Sequence, residues 1–576
     1  MSANHLRQVR RNFLCSLILL SPVLVMAQDI SDQYQIQRGA ETWGDVVYPV
    51  AVSVDMATVP KPQPWQPGDP IIEYQRRGNG IPPDWEPPSP RQFNIDPLVA
   101  RARAASGAGG AGIETQLINV PGNPGNGVQP PDTNGDVGPQ YYIQAINGTN
   151  VVVLDKTDGT VVTSFTLGSL AAGSGTGCNV LRSDPVVFFD QFAGGGEGRW
   201  VLTEFTSNSL CFFISQTVDP TTGDWFIYEF TSASGGIPDY HKYGVWPDFY
   251  YAGANEGFSG GRSNYAFDRT NMLLGQPARP VQVFSSPTLN GYFFQLLLAA
   301  DADGATPPPA GAPGILLRKR DDEAHTNDGG TDDPVNDFID YWEMTIDFDN
   351  SANSTFAGPT SVPIAEFDAD LCGLTNFNCV PQTGSGIVLD SVAETLMWRV
   401  QYRRFDDRQV MLSSFVVDVD GNDLHGVRWF VLERPADDVS GGWTLAQEGT
   451  QSLDSTHRWM SSIAMDGSRN IVMGYSVSDN AGTFPGIRYA GQANGDPAGT
   501  LPRGEFTAID GSAANNGGRW GDYASMSVDP VNDCVFYFTS MYNPASNWQT
   551  RVFSVEFDVC GELPEVFFID GFESPL

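Results

Sequence analysis

The sequence predicts an all-β fold: a six- or seven-bladed β-propeller with a Pro/Gly-rich N-terminal arm. Three observations predict it. Two segments near the C-terminus repeat one pattern, HRWMSSIAMDGSRNIVMGYSVS from His457 and GRWGDYASMSVDPVNDCVFYFTSMY from Gly518. Each reads Arg-Trp, an alternating small/apolar run, an Asp-led turn, and a second apolar run ending in aromatic and hydroxyl residues. The pairs Arg458-Trp459 and Arg519-Trp520 stand 61 positions apart, a spacing that suits one four-stranded blade. Strand signals also come in clusters of three or four along the whole central region, and helical periodicity is almost absent.

In chain order, residues 1–27 read as a secretion signal. Arg7, Arg10 and Arg11 form its basic start, Phe13 to Met26 its apolar run, and Val25-Met26-Ala27 a small-residue cleavage site. The run is short for a membrane span. Residues 28–112 read as an extended arm and linker, with PKPQPWQPGDP and IPPDWEPPSPRQ as polyproline-like stretches and AASGAGGAG as a flexible joint. Residues 113–560 hold the propeller. The clearest four-strand set is PVVFFDQF, RWVLTEF, SLCFFISQ and WFIYEF. A second is TLMWRVQYRRF, QVMLSSFVVD, VRWFVLER and WTLAQEG. The group at Gly314–Asp349 is weak and surrounds an acidic stretch, so six blades with an insertion is the alternative to seven. Tandem β-sandwiches are the rival architecture. Residues 561–576 form a C-terminal tail.

Composition bounds the function. Of seven cysteines, Cys15 leaves with the signal, and an even set remains for an oxidising compartment. Cys372 and Cys379 can close a small loop; Cys178 with Cys211 and Cys534 with Cys560 are the economical remaining pairs, although six cysteines leave fifteen connectivities open in sequence. The formal charge is −36, and loss of the signal makes the chain more acidic still. Such a field repels nucleic acid and anionic membranes. The expected product is a secreted or extracellular protein, periplasmic or cell-surface sites included, acting as a monomer.

The segments PDTNGDVGPQYYIQAIN, VWPDFYYAGAN, AADADGATPPP, HRWMSSIAMDGSRNIVMGYSVS and RWGDYASMSVDP resemble a family of secreted bacterial propellers described as sialidase-like or BNR-repeat-like, most with no assigned activity. The resemblance spans about Pro131 to Cys534 and implies a propeller without implying sialidase chemistry. The tail VFFIDGFESPL resembles a terminal DGFE motif of many secreted proteins of gammaproteobacteria, here Asp570 to Glu573.

A sialidase needs three arginines to clamp a carboxylate, a Tyr nucleophile and an acid. Arg399, Arg458 and Arg519 sit near strand starts in different groups, and Asp522 and Tyr523 follow Arg519. Strand starts face the channel of a propeller, so these five are the candidate catalytic set. The bland alternative is that the Arg-Trp pairs stack and salt-bridge. For metal, Asp132, Asn134 and Asp136 place oxygens at alternate positions, as a Ca²⁺ loop does. Asp301-Ala302-Asp303 and the run Asp418–Asp423 have similar spacing, and none continues to an EF-hand Glu. Asp136, Asp184 and Asp248 recur early in successive groups, where Asp caps backbone amides. His241 beside Tyr240 and Tyr243 is the one cluster suited to a lyase base and acid. Trp246, Trp398, Trp429, Trp459 and Trp520 divide between sugar stacking and inter-blade core. Gly257–Gly261 matches G-x-S-x-G without a strand-to-helix elbow, and Gly107–Gly112 matches GxGxxG without a βαβ unit, so neither carries chemistry. The leading functional reading is a non-catalytic propeller binding an extracellular glycan or protein. The alternative is an extracellular carbohydrate-active enzyme, either a sialidase-like glycoside hydrolase or a polysaccharide lyase.

Overall fold

The computed structural model describes residues 35–74, 95–106, 113–180, 184–256, 263–289, 296–325, 333–373, 377–545, 547–558 and 560. The signal, both glycine motifs and the DGFE-like tail lie outside the described residues. What is described is a seven-bladed propeller. The inner strands of blades 1 to 7 are Asn134–Val137, Val186–Asp190, Asp239–Val245, Leu298–Asp303, Val400–Arg404, His457–Met465 and Ser525–Val528. Each begins an antiparallel run of four strands. Blades 4 and 5 merge into one nine-stranded sheet because Ala300–Asp303 pairs in parallel with Val400–Arg403. Every inner strand touches the next one round, and Ser525–Val528 touches Asn134–Val137, so the ring closes.

The weak group at Gly314–Asp349 is therefore blade 4, not an insertion. Its inner strand is Leu298–Asp303, hidden in sequence because LLLAADAD lacks alternation. Blade strands are covered on both faces by their neighbours, so whole strands are buried, as Ser209–Ser215 is. That is why apolar runs replace the alternation of a half-exposed sheet. Trp246, Trp398, Trp429, Trp459 and Trp520 are all in the core.

The N-terminal arm is a belt of strands. Gln35–Arg38 adds a fifth strand to blade 4, Glu41–Trp43 to blade 3, and Val50–Ser53 to blade 2, against the blade order. The sequence reads this stretch as a wrapping arm plus linker; the strands within it are three or four residues long, too short to show a pattern. A short helix, Val99–Ala105, follows Asp96, whose carboxylate receives the buried Arg428 guanidinium of blade 5 at 2.5 Å. Glu114–Pro121 then supplies the outer strand of blade 7, closing the ring with chain from the opposite terminus. The disulfides are Cys178–Cys211, Cys372–Cys379 and Cys534–Cys560. No described helix is long and apolar enough to cross a membrane.

Candidate functional site

Inner strands of a propeller run parallel, so their starts gather at one end of the channel. Four blades send polar side chains there. Asp132 precedes the inner strand of blade 1, Asp184 that of blade 2, and Asp522 and Tyr523 that of blade 7; Tyr240 and Lys242 lie on that of blade 3. Tyr240 and Tyr523 meet across the axis with ring centroids 5.1 Å apart. The Tyr240 hydroxyl donates to the Asp522 carbonyl at 2.8 Å, and the Tyr523 hydroxyl to Asp184 at 3.2 Å. Lys242 Nζ lies 3.5 Å from the Tyr240 ring centre and 2.8 Å from that of Tyr523. Arg519 grips Asp522 at 2.5 Å and lies 3.2 Å from Asp390.

Local backbone geometry builds this mouth. Asp132, Tyr240, Met460 and Asp522 have φ of +49°, +52°, +47° and +63° at the starts of four inner strands. Non-glycine residues occupy that region at a cost of roughly 1–3 kcal/mol each, and such residues concentrate at functional sites. In blade 3 the register slips between Asp239 and Lys242. Such a bulge re-aims side chains, and here Tyr240 and Lys242 share the channel side. His241, between them, turns into the interface of blades 2 and 3 against the edges of Phe205 and Tyr243. Burial, then the Lys242 charge, pushes the His241 imidazole down to about 3. Of the cluster read for a lyase, His241 with Tyr240 and Tyr243, the His241 and Tyr243 rings pack in the core while Tyr240 lies at the mouth, because strand alternation sends His241 and Tyr243 away from the channel.

The mouth is electrostatically unfinished. Among the described residues, neither Asp132 oxygen, nor Asp522 Oδ1, nor Arg519 Nη1, nor Lys242 Nζ has a hydrogen-bond partner, although all are buried. Burial, then Asp184 and Asp522, holds the Asp132 carboxyl well above its usual range. Burial and the Asp522 charge raise Asp184 to about 6. Burial drives the Lys242 ammonium well down against the pull of the carboxylates. The two ring faces would favour a charged ammonium, but complete burial without an acceptor is the larger effect.

Deeper in the channel the carboxylates are paired, although burial raises Asp136 and lifts Asp301 to about 7, and Arg399 Nε has no hydrogen-bond partner among the described residues. Arg399 of blade 5 crosses the axis to Asp136 of blade 1 at 2.7 Å and reaches Asp301 of blade 4 at 3.2 Å. Asp136 also accepts from the Phe189 amide at 2.8 Å, and Asp301 from the Val245 amide at 2.9 Å. Arg403 bridges to Asp533 of blade 7 further on. These contacts lock the channel below the mouth.

The five residues of the catalytic candidate set therefore divide. Arg519, Asp522 and Tyr523 share the mouth. Arg399 is committed to the lock, and Arg458 is buried against Glu505 at 2.7 Å and Asp454 at 3.0 Å within blade 6. The three arginines serve different carboxylates, so the carboxylate clamp is not assembled. Burial, then Asp184, holds the Tyr523 hydroxyl well above its ordinary ionisation range, the reverse of what a nucleophile needs. The metal loop divides too. Asn134 bonds the Pro185 carbonyl and Val187 amide of blade 2, Asp136 joins the lock, and Asp132 enters the mouth. Asn134 and Asp136 thus do the amide capping read for Asp at this place, whereas Asp248 lies in an exposed turn. The Asp301 and Asp303 pair also belongs to the channel wall. Sequence reasoning missed Lys242, whose only signal was its place at alternate spacing from Tyr240 on an inner strand.

Cys372, Cys379 and His425 cluster closely enough for a metal, but both sulfurs are in a disulfide. Asp321, Glu323 and Asp337 make a second such cluster in blade 4; the Asp321 and Asp337 oxygens accept backbone amides from Ala324, Ala369, Asp322 and Phe367.

No protein-family model and no curated protein matches this chain. Among solved structures, the RRP9 WD40 repeats align at TM-score 0.36 and 8% identity, covering 78% of this chain and 99% of that one. The WD40 domain of SCAP from fission yeast aligns at 0.32 and 11%, over 78% and 82%. Drosophila Semaphorin 1a, extracellular domains 1-2, aligns at 0.34 and 8%, over 78% and 90%. The propeller assignment rests on the sheet topology itself.

Proposed function

We propose that the protein is a secreted, non-catalytic member of the sialidase-like propellers that binds an extracellular glycan at the channel mouth. One observation carries the reading: buried acceptors on Asp132 and Asp522 and buried donors on Lys242 and Arg519 stand unpartnered within one cluster. Leaving such groups unmade costs about 1–3 kcal/mol each. A polyhydroxyl ligand both donates and accepts, so it answers this mixture. The lock below the mouth restricts approach to one end. The unassembled arginine clamp and the un-ionised Tyr523 weigh against the hydrolase reading, and the packing of His241 against a lyase. Three disulfides support an oxidising compartment outside the cytoplasm.

The test is a glycan array with the mature protein, run beside reducing-end and unsaturated-product assays on the same polysaccharides. Binding without product is expected, with binding lost in Asp132→Asn. Product formed by the wild type and abolished in a normally melting Tyr523→Phe variant would replace this reading with the enzyme.

A further inference from the structure

We propose that Cys372, Cys379 and His425 form a Zn²⁺ site that replaces the Cys372–Cys379 disulfide when that pair is reduced. The inference stands apart from the glycan reading. It gives the junction of blades 4 and 5 a metal site under redox control.

The three ligand atoms lie within 4.8 Å of one another. His425 Nε2 is 3.8 Å from Cys379 Sγ, and a sulfur and a nitrogen on one tetrahedral zinc stand about 3.6 Å apart. The imidazole already presents the correct nitrogen. Its Nδ1 lies 2.8 Å from the Asp423 carbonyl and 3.1 Å from His457 Nδ1. His457 Nδ1 in turn accepts from the His425 amide at 3.4 Å, so it carries a lone pair. Two acceptors thus face His425 Nδ1, which assigns the proton there and leaves the Nε2 lone pair toward the sulfur. A backbone carbonyl on the other ring nitrogen is the usual support of a metal-ligating histidine. Asp423 also fixes a second ligand, because its carboxylate accepts the Cys372 amide at 2.7 Å. The Ser391 hydroxyl, 3.8 Å from Cys372 Sγ, is placed to donate to a thiolate. Cys379 is half-buried, which opens the site on one side and leaves a fourth position for water.

Among the described residues, this is the one disulfide whose sulfurs cluster with another metal-ligating side chain. It is also the one the fold depends on least. The three bridges span 7, 26 and 33 positions, and a cross-link constrains the unfolded chain less as its loop shortens. The dithiol form therefore keeps the fold. Two small thiols, RSH, reduce the S–S bond and leave as RSSR, with their hydrogens on the two cysteines. Zn²⁺ then binds both thiolates and the Nε2 lone pair, and two protons pass to solvent. Oxidation by RSSR re-forms the S–S bond, takes up two protons to give two RSH, and frees the ion. Either clamp holds the base of one hairpin, Asn378–Val380 paired with Leu389–Asp390. Asp390 of that hairpin lies 3.2 Å from Arg519, so the clamp secures a neighbour of the mouth.

The test reduces the mature full-length protein with a phosphine under conditions that leave its near-ultraviolet circular dichroism unchanged. The phosphine is removed without oxygen, and Zn²⁺ or Co²⁺ is titrated in. Alkylation with mass mapping reports which cysteines opened. Cys372 and Cys379 should open before the other pairs. The reduced protein should bind about one Zn²⁺ per chain, and its Co²⁺ form should show thiolate charge-transfer and tetrahedral d–d absorption. The oxidised protein and a Cys372→Ser/Cys379→Ser variant should lack this complex. His425→Gln should weaken binding by about tenfold or more, a loss that a merely structural histidine would not give. Should that variant not fold, X-ray absorption of the wild-type zinc complex decides, with two sulfurs and one imidazole expected. Equal metal binding by the double-serine variant, or unchanged affinity in a folded His425→Gln protein, overturns the proposal. So does a zinc shell without imidazole, or a Cys372–Cys379 pair that opens only as the protein unfolds.

Discussion

The channel has two polar layers built from the same residue types, and they differ in how fully their side chains are partnered. In the lock, Arg399 meets Asp136 and Asp301, and the carboxylates' other contacts are backbone amides. At the mouth, Asp132, Lys242 and Arg519 lie in one cluster with polar atoms left over. A buried charge with its partners in place holds blades in register. Buried charges without partners cost stability, and in our proposal a ligand completes the set. Counting charged residues along the strand starts does not separate these cases, and their hydrogen bonds do.

The sharpest way to break the comparison is at the lock. Arg399→Ala leaves two carboxylates buried and unpaired, and a loss of about 3–5 kcal/mol in chemical denaturation is expected. A loss under about 1 kcal/mol would mean that the layer is not structural.

At the mouth, removing a carboxylate should raise stability. Asp184 is raised to about 6 from an ordinary 3.8, so the folded state holds a proton that the unfolded chain releases. Its contribution to stability is full below pH 3.8 and lost as pH rises through about 6. Asp184→Asn should therefore be more stable than the wild type at pH 7, by about 1–2 kcal/mol, and converge with it near pH 4. Asp132→Asn should behave alike, with gained melting temperature and lost glycan binding. A variant that loses stability at pH 7 would make the mouth a second lock.

A smaller effect tests the aromatic pair. Tyr523→Phe removes one hydrogen bond to Asp184 and should cost about 1 kcal/mol while the fold persists. Least of all, Arg469→Ala removes an ion pair with Asp407 at the surface. Double-mutant cycles at that pair should give no more than about 1 kcal/mol, and less in high salt. A larger value would remove the contrast between buried and exposed pairs.

Much of this was legible in the residues. The Arg-Trp repeats mark the inner strands of blades 6 and 7, and the four-strand sets are blades 2 and 5, because buried β-strands write themselves as apolar runs. Blade 4 was faint, since its inner strand of small residues and Asp carries no alternation. At the mouth, Arg519, Asp522 and Tyr523 were legible because they follow a repeated motif. Lys242 was not, because its significance depends on Tyr523, 281 positions away in the chain.

By itself, then, the sequence determined the strand content, the repeat, the acidic charge and an even cysteine set, since each follows from local pattern or count. The tertiary structure alone decided which arginine belongs to a lock and which to a mouth. It also decided that Asp132, Asn134 and Asp136 would take separate partners. Ring closure sets those partners: it brings blades 3 and 7 into contact across the axis, and blade 5 onto blade 1, at distances no spacing along the chain encodes.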